Sequence, residues 1–212
     1  MGITVFGTPM TRSLRAVWAL EEAGADYSYQ RIDLRAGEGR KPDFLAINPG
    51  GKVPVIKIES EDGEQTVPES AAIVTWVGEH FPESNLLPPP TDSARNQYFR
   101  WIVFAVAELE QPLWTMSKHT FAIPEKHRVP QVVDTAQWEW KVAMRLLETG
   151  LGTKPWILGD NFSGADIMLA HTLKWGTAKA GALDSVVLTE YMDRAFARDA
   201  CQAAIAREKV AA

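Results

Sequence analysis

Ile3-Thr4-Val5-Phe6-Gly7-Thr8-Pro9-Met10-Thr11-Arg12-Ser13 is the stretch on which the fold turns. Four residues of high β-propensity end at a glycine, as a first strand does. A short polar turn follows. From Ser13 to Ala23 the apolar positions Leu14, Val17, Trp18 and Leu20 then fall at helical spacing, and Gly24 stands where such a helix ends. A strand that runs straight into a helix carries the helix N-terminus, with its unsatisfied N–H groups and partial positive charge, to the end of the sheet. That place favours an anion. Thr8 and Thr11 put hydroxyls there, with Arg12 and Ser13 as the next polar candidates. Threonine is also an ordinary helix cap, and capping alone accounts for either residue.

Downstream of this opening, Tyr27 to Leu34 alternates like a second strand and a polar loop covers Ala36 to Lys41. Asp43-Phe44-Leu45-Ala46 predicts a short helical turn before Asn48-Pro49-Gly50-Gly51. Val53 to Ile58 and Gln65 to Val67 flank Glu61-Asp62-Gly63, a hairpin signal. Ser70 to His80 is helical in pattern, with Ile73, Val74 and Val77 on one face, and Pro82 stops it. The order β-α-β, crossover, β-β-α describes a mixed four-stranded sheet with helices on its faces, a thioredoxin-like domain. Leu86-Leu87-Pro88-Pro89-Pro90-Thr91 reads as a linker, since successive prolines fit neither a helix nor a central strand. Beyond it come long helical patterns, roughly 92–120, 130–149, 163–180 and 189–207, with six of the eight tryptophans. The expected organisation is α/β plus all-α: 1–85 thioredoxin-like, 86–91 linker, and 92–212 an all-helical bundle.

Composition narrows the function. The chain has 212 residues and is 46% hydrophobic and 23% charged, enough to bury a real core. Its net charge of −5 is uneven, with 13 acidic and 8 basic residues through Thr91 and 14 of each after it. No basic cluster offers itself to phosphates, so nucleic acid is not an expected partner. One cysteine, Cys201, excludes an internal disulfide and a cysteine-based zinc site. His80, His119, His127 and His171 lack the close spacing of metal ligands, so no metal is expected. No apolar run approaches the ~20 residues needed to span a bilayer, and no basic, then apolar, leader opens the sequence. The expectation is a cytoplasmic protein with no membrane partner.

Two further places carry chemistry. Val53-Pro54 sets a proline inside an apparent central strand, where it cannot donate to the ladder. An edge-strand proline explains this; so does a cis peptide, which turns the Val53 N–H and C=O outward to pair with an extended peptide. Glu69-Ser70 precedes Ala71-Ala72-Ile73-Val74, with Ser70 read as the N-cap and Glu69 as a carboxylate beside it. A ligand's carboxylate can lie on that helix N-terminus while Glu69 meets its ammonium group.

With these residues in view, the chain resembles a cytosolic glutathione transferase of bacterial type, class unassigned, over essentially its whole length. The likeness is carried by Thr8-x-x-Thr11-Arg12-Ser13-Leu14-Arg15-Ala16 and on through Gly24, by Asn48-Pro49-x-Gly51-Lys52-Val53-Pro54, by Glu69-Ser70, and by the run Leu158 to Ala170. The resemblance implies glutathione as co-substrate, with its cysteine backbone on Val53 beside a cis Pro54. Its γ-glutamyl end lies on Glu69 and Ser70, Lys52 or Lys41 reaches a carboxylate, and Arg12 stands nearby. It implies Thr8, Thr11 or Ser13 as the donor to the glutathione thiolate. Thr8-Pro9-Met10-Thr11 occupies the place where redox relatives of this fold carry Cys-Pro-x-Cys, which sets disulfide exchange aside. A free thiol titrates near ~8.5, and lowering it two units requires ~2.7 kcal/mol. A helix N-terminus contributes up to ~2 kcal/mol and a hydrogen bond to the anion ~1.5–3. The family also implies a homodimer and a hydrophobic acceptor pocket from the second domain. Tyr98, Trp101, Phe104, Glu108, Trp114 and Met116 are candidates for that pocket; aromatic residues at helical spacing are more often core, and the resemblance favours Phe104, Glu108 and Trp114. Ser163-Gly164-Ala165-Asp166 is a capping box, a folding element rather than a site. The implied activity is conjugation of glutathione to a hydrophobic electrophile in detoxification. The alternatives are isomerase, dehalogenase, lyase or peroxidase work with glutathione, or binding without turnover.

Overall fold

The computed structural model describes residues 1–210. They form two compact units, Met1–Leu87 together with the chain from Ala197 onward, and Pro88–Phe196.

The first unit holds a four-stranded sheet ordered β2-β1-β3-β4. Its elements are β1 (Gly2–Gly7), α1 (Ser13–Glu22), β2 (Ser28–Arg31), α2 (Pro42–Ile47), β3 (Val55–Ser60), β4 (Gly63–Pro68) and α3 (Ser70–His80). β1 runs parallel to β2 and antiparallel to β3, which pairs antiparallel with β4. This is the thioredoxin-like mixed sheet that the sequence predicts. The expected strand over Tyr27–Leu34 is shorter, Ser28–Arg31, because it lies at the sheet edge and is mostly exposed. The central strands bury Val5, Val55, Ile56 and Ile58. α1 is buried from Ser13 through Leu20, since it packs against both α3 and the last helix.

That last helix corrects the expected boundaries. The pattern read as 189–207 is two helices, α8 (Val186–Phe196) and α9 (Asp199–Val210), broken at Ala197-Arg198. α9 belongs to the first unit rather than to a helical domain over 92–212. Arg198 explains the docking: its guanidinium donates two bonds, 2.6 and 2.7 Å, to Glu22 of α1, to which Trp18 Nε1 donates at 3.0 Å. Leu86 and Leu87 of the expected linker are buried in the first unit. A Cβ on Gly78 of α3 would stand 2.6 Å from that of Leu87, so the helix is bare where the chain crosses it.

The second unit is helical. α4 (Ala94–Phe104) continues through a π-helical stretch, Ala105–Glu110, into α5 (Gln111–Ser117) and a second π-helical stretch, Lys118–Ala122. The first widening has a covalent reason in Pro112: its ring has no N–H for the Glu108 carbonyl and would clash with it in α-helical register. α6 (Val132–Leu151) and α7 (Gly164–Ala180) complete the unit with α8. Two tryptophans fit only because a helix is bare beneath them, Trp101 over Gly150 and Trp140 over Gly176. At the start of α7 the capping box is present as expected. Asp166, wholly buried, accepts from Ser163 N (2.9 Å), Ser163 Oγ (2.8 Å), Ile157 N (2.8 Å) and the Tyr191 hydroxyl (2.7 Å). Burial still holds its carboxyl above the usual carboxylate range against these donors.

Candidate functional site

Strand register gathers three of the sequence-predicted pieces at one end of the sheet. Phe6 pairs with Val55 and Val55 with Pro68, while Gly7 pairs with Arg31. The residues that follow or precede these pairs are the Thr8–Ser13 turn, Val53-Pro54 and Glu69-Ser70. They are therefore neighbours in space. The Val53-Pro54 peptide is cis. The β3 ladder begins at Val55, so the Val53 backbone stands outside the register. Its side chain packs on the cluster of Phe6, Ile32, Phe44 and Val55.

The approach to Val53 is built by Asn48, whose amide donates to Lys52 O at 2.7 Å and whose Oδ1 accepts from Gly50 N at 3.1 Å. Gly51, at φ +61°, passes so close to Gly39 that neither admits a side chain. Lys52 is exposed. Lys41 is also exposed, but its ammonium lies 3.0 Å from Glu38 Oε1 and is committed locally.

At the start of α3 the structure corrects the capping assignment. Ser70 is the first helical residue and Glu69 is the cap, with no side-chain oxygen closing the helix. Glu69 holds φ +70° and is exposed. A left-handed glutamate costs on the order of 1–3 kcal/mol and persists where its surroundings impose it. The Ser70 hydroxyl, buried, accepts from Arg15 Nη1 at 3.1 Å. Arg15 is wholly buried in α1 and was not among the sequence candidates. Its position amid Leu14, Ala16 and Val17, inside an apolar run, was the signal available. Because the serine oxygen accepts from Arg15, its own proton remains for another acceptor.

The first turn is a closed ring of hydrogen bonds. Thr8 N donates to Ser13 Oγ at 3.0 Å, the Ser13 and Thr11 hydroxyls are 3.0 Å apart, and Thr11 Oγ1 donates to Thr8 O at 2.7 Å. With the Thr11 proton on that carbonyl, Ser13 is the donor between the two hydroxyls. Thr8 Oγ1 donates to Ile32 O at 2.6 Å, and Ser13 N donates to Thr11 Oγ1 at 3.2 Å. All three hydroxyl protons thus point to protein acceptors, and Thr11 also serves as a cap. Arg12 is half-buried just before α1. Met10, between the threonines, has φ +61° and an exposed side chain.

On the continuous helix of the second unit, Tyr98, Trp101 and Met116 are core. Phe104 is half-buried, edge-on to Trp101 at 5.1 Å between centroids; Trp114 is half-buried; Glu108 is exposed within the π-helical stretch. Cys201 is buried, and burial pushes its thiol up to about 12, which makes it unreactive near neutrality. Among the described residues no group of three or more His, Cys, Asp or Glu could hold a metal, and no helix is long and apolar enough to cross a membrane.

This geometry has relatives. Residues 10–80 match the glutathione S-transferase N-terminal domain and residues 111–199 the C-terminal domain. Glutathione S-transferase 4 of Zea mays is 34% identical over 72% of this chain and 67% of its own. The disulfide-bond oxidoreductase YfcG of Escherichia coli strain K12 is 29% identical over 78% and 76%. A sphingomonad glutathione S-transferase solved in complex with glutathione is 27% identical and superposes with a TM-score of 0.82, over 98% of this chain and 99% of that one. The chain belongs to the cytosolic glutathione transferase superfamily.

Proposed function

We propose that this protein binds glutathione at the sheet end of its first unit and transfers its sulfur to a hydrophobic electrophile. The observation that carries the reading is the uncapped start of α3, with Glu69 held at positive φ next to an unpaired, cis-linked Val53-Pro54. An extended γ-glutamyl peptide matches it in order. Its α-carboxylate takes the α3 amides and the Ser70 proton, its ammonium takes Glu69, and its cysteine backbone pairs with Val53. Lys52 remains available to the glycine carboxylate. The sphingomonad relative bound to glutathione supports the same ligand here.

The sulfur then falls to the first turn. The α1 N-terminus alone supplies up to ~2 kcal/mol, short of the ~2.7 that two units of thiol acidity require. Freeing the Thr8 or Thr11 hydroxyl from its carbonyl loses about 1 kcal/mol, and a bond to the thiolate returns ~1.5–3. Donation by a threonine is therefore favourable once the ligand arrives. Sulfur attack on the acceptor forms a thioether, with orientation and electrostatics as the protein's part. Phe104, Glu108 and Trp114 are the proposed acceptor contacts. A cytoplasmic homodimer acting in detoxification completes the proposal. Phe99 and Val103 of α4 and Val106 of the π-helical stretch that follows are exposed at helical spacing, where a second copy would cover them.

A second reading changes only the chemistry. The committed hydroxyl protons and the likeness to YfcG favour disulfide exchange, in which glutathione thiolate attacks a disulfide, forms a mixed disulfide and releases the other sulfur as thiolate. Glutathione supplies the sulfur, since Cys201 is buried. Retention on immobilised glutathione tests the site. Turnover of chlorodinitrobenzene against turnover of a small disulfide then separates the two readings, and no retention would refute both.

A further inference from the structure

The chain leaves the long helical arm of the second unit through a strap that is pinned at two points. Beyond the π-helical stretch Lys118–Ala122, Ile123 is extended, Glu125–His127 makes one short 3₁₀ turn, and Arg128-Val129-Pro130 leads towards α6. A helix end leaves carbonyls without donors of their own. Arg128 answers two carbonyls at this end: its Nε donates to Ile123 O at 2.9 Å and its Nη2 to Phe121 O at 3.1 Å. The second pin is His119, half-buried in the π-helical stretch, whose Nδ1 accepts the Val129 backbone N–H at 3.0 Å. An amide N–H can only donate, so Nδ1 carries a lone pair here and the ring proton sits on Nε2. The two pins therefore differ in kind. A guanidinium keeps its charge and its donors throughout the range in which proteins are folded, whereas an imidazolium holds a proton on both nitrogens and accepts nothing.

We propose that His119 is a pH-operated latch on the 123–129 strap. Neutral His119 holds Val129 against the arm. When the ring takes a proton, Nδ1–H and the Val129 N–H meet donor to donor, their bond is lost, and the strap turns on the Arg128 pin alone. The charged and titratable groups on the surrounding elements are mainly basic. Lys118 is adjacent on the arm, Lys126 and His127 lie on the 3₁₀ turn, and Arg128 is on the strap itself. Lys179 of α7 donates to Thr120 Oγ1 at 3.2 Å and lies 4.4 Å over the Phe121 ring. Glu125 on the 3₁₀ turn and Asp134 in the first turn of α6 are the acidic members. A new positive charge on His119 thus enters a neighbourhood of like sign, and repulsion adds to the lost bond in releasing the strap. The next contact to feel the release is Ile123 N, which donates to Lys118 O at 3.4 Å. The latch belongs to the second unit and operates whether or not the protein binds glutathione.

The test is a pH titration of the full chain by magnetic resonance, following the His119 ring protons and the Val129 and Ile123 amides together. The Val129 amide should move upfield in step with ionisation of the ring. Its hydrogen exchange, corrected for the intrinsic dependence on pH, should rise about fivefold, the effect of one ordinary hydrogen bond. His119→Asn, whose side-chain oxygen takes the place of Nδ1 and does not titrate, should hold the Val129 amide at its neutral position across the range. His119→Phe offers no acceptor, so it should show the released position at every pH and be cut by trypsin at Arg128 about fivefold faster than the parent at neutral pH. A Val129 amide that stays in place while the ring ionises, or that titrates equally in His119→Asn, overturns the latch. So does a His119→Phe protein with the parent's Val129 resonance and rate of cleavage.

Discussion

Two helix starts in this molecule face the same physical problem and solve it in opposite ways. At α7, Ser163 and Asp166 close the N-terminus on themselves, and Ile157 and Tyr191 complete the shell in the dark of the core. At α3 the cap is Glu69, exposed and left-handed, and no side-chain oxygen answers the first amides. Unsatisfied helix amides stabilise whatever anion meets them. One N-terminus is sealed with four donors on a carboxylate, and the other is the one to which the proposed function assigns the ligand's carboxylate.

The sharpest break in this contrast is Asp166→Ala. It strands the Tyr191 hydroxyl, the Ile157 amide and the Ser163 pair, so a loss of about 3–5 kcal/mol in unfolding free energy is expected by denaturant titration. Material that remains folded should bind glutathione with unchanged affinity. The pH dependence comes next. Glu208 ionises near 7 when folded and near 4.3 when unfolded, so its contribution is fully present below about 4.3 and is lost as pH rises through 7. Stability should therefore fall by about 2 kcal/mol between pH 5 and 8, and Glu208→Gln should flatten that slope in melts run across the range.

Smaller effects belong to the open end. Replacing whichever of Thr8 and Thr11 donates to sulfur by alanine should lower conjugation about tenfold with little change in glutathione affinity, as measured by steady-state rates and calorimetry. Rates unchanged in both single variants would refute the hydroxyl mechanism. Glu69→Gly should act in two directions at once: about 1 kcal/mol more stable, because glycine adopts φ +70° freely, and weaker for glutathione. A variant that gains stability and keeps affinity would show that the strained cap has no part in binding.

Local chemistry was legible in the sequence and long-range chemistry was not. Pro82 and the Ile73-Val74-Val77 face bounded α3 at Ser70–His80 as the structure has it, and the sheet order followed from strand and helix punctuation. The break between α8 and α9 was hidden because Ala195, Ala197 and Ala200 are all good helix formers, with no glycine or proline to mark it. The π-helical widening had its cause in plain sight at Pro112. Of the site, Thr8–Ser13, Val53-Pro54 and Glu69-Ser70 were recognisable as a set, while Arg15 was not. Its apolar neighbours mark it as buried, but its partner Ser70 lies 55 residues away, so the sequence does not show what it holds.

The most direct test of the contrast is amide chemical-shift mapping while glutathione is titrated into the protein. The account predicts that Ser70, Ala71 and the Thr11–Ser13 amides shift with saturation, while Gly164, Ala165 and Asp166 at the sealed start of α7 stay in place. Silence at α3, or an equal response at α7, would contradict it.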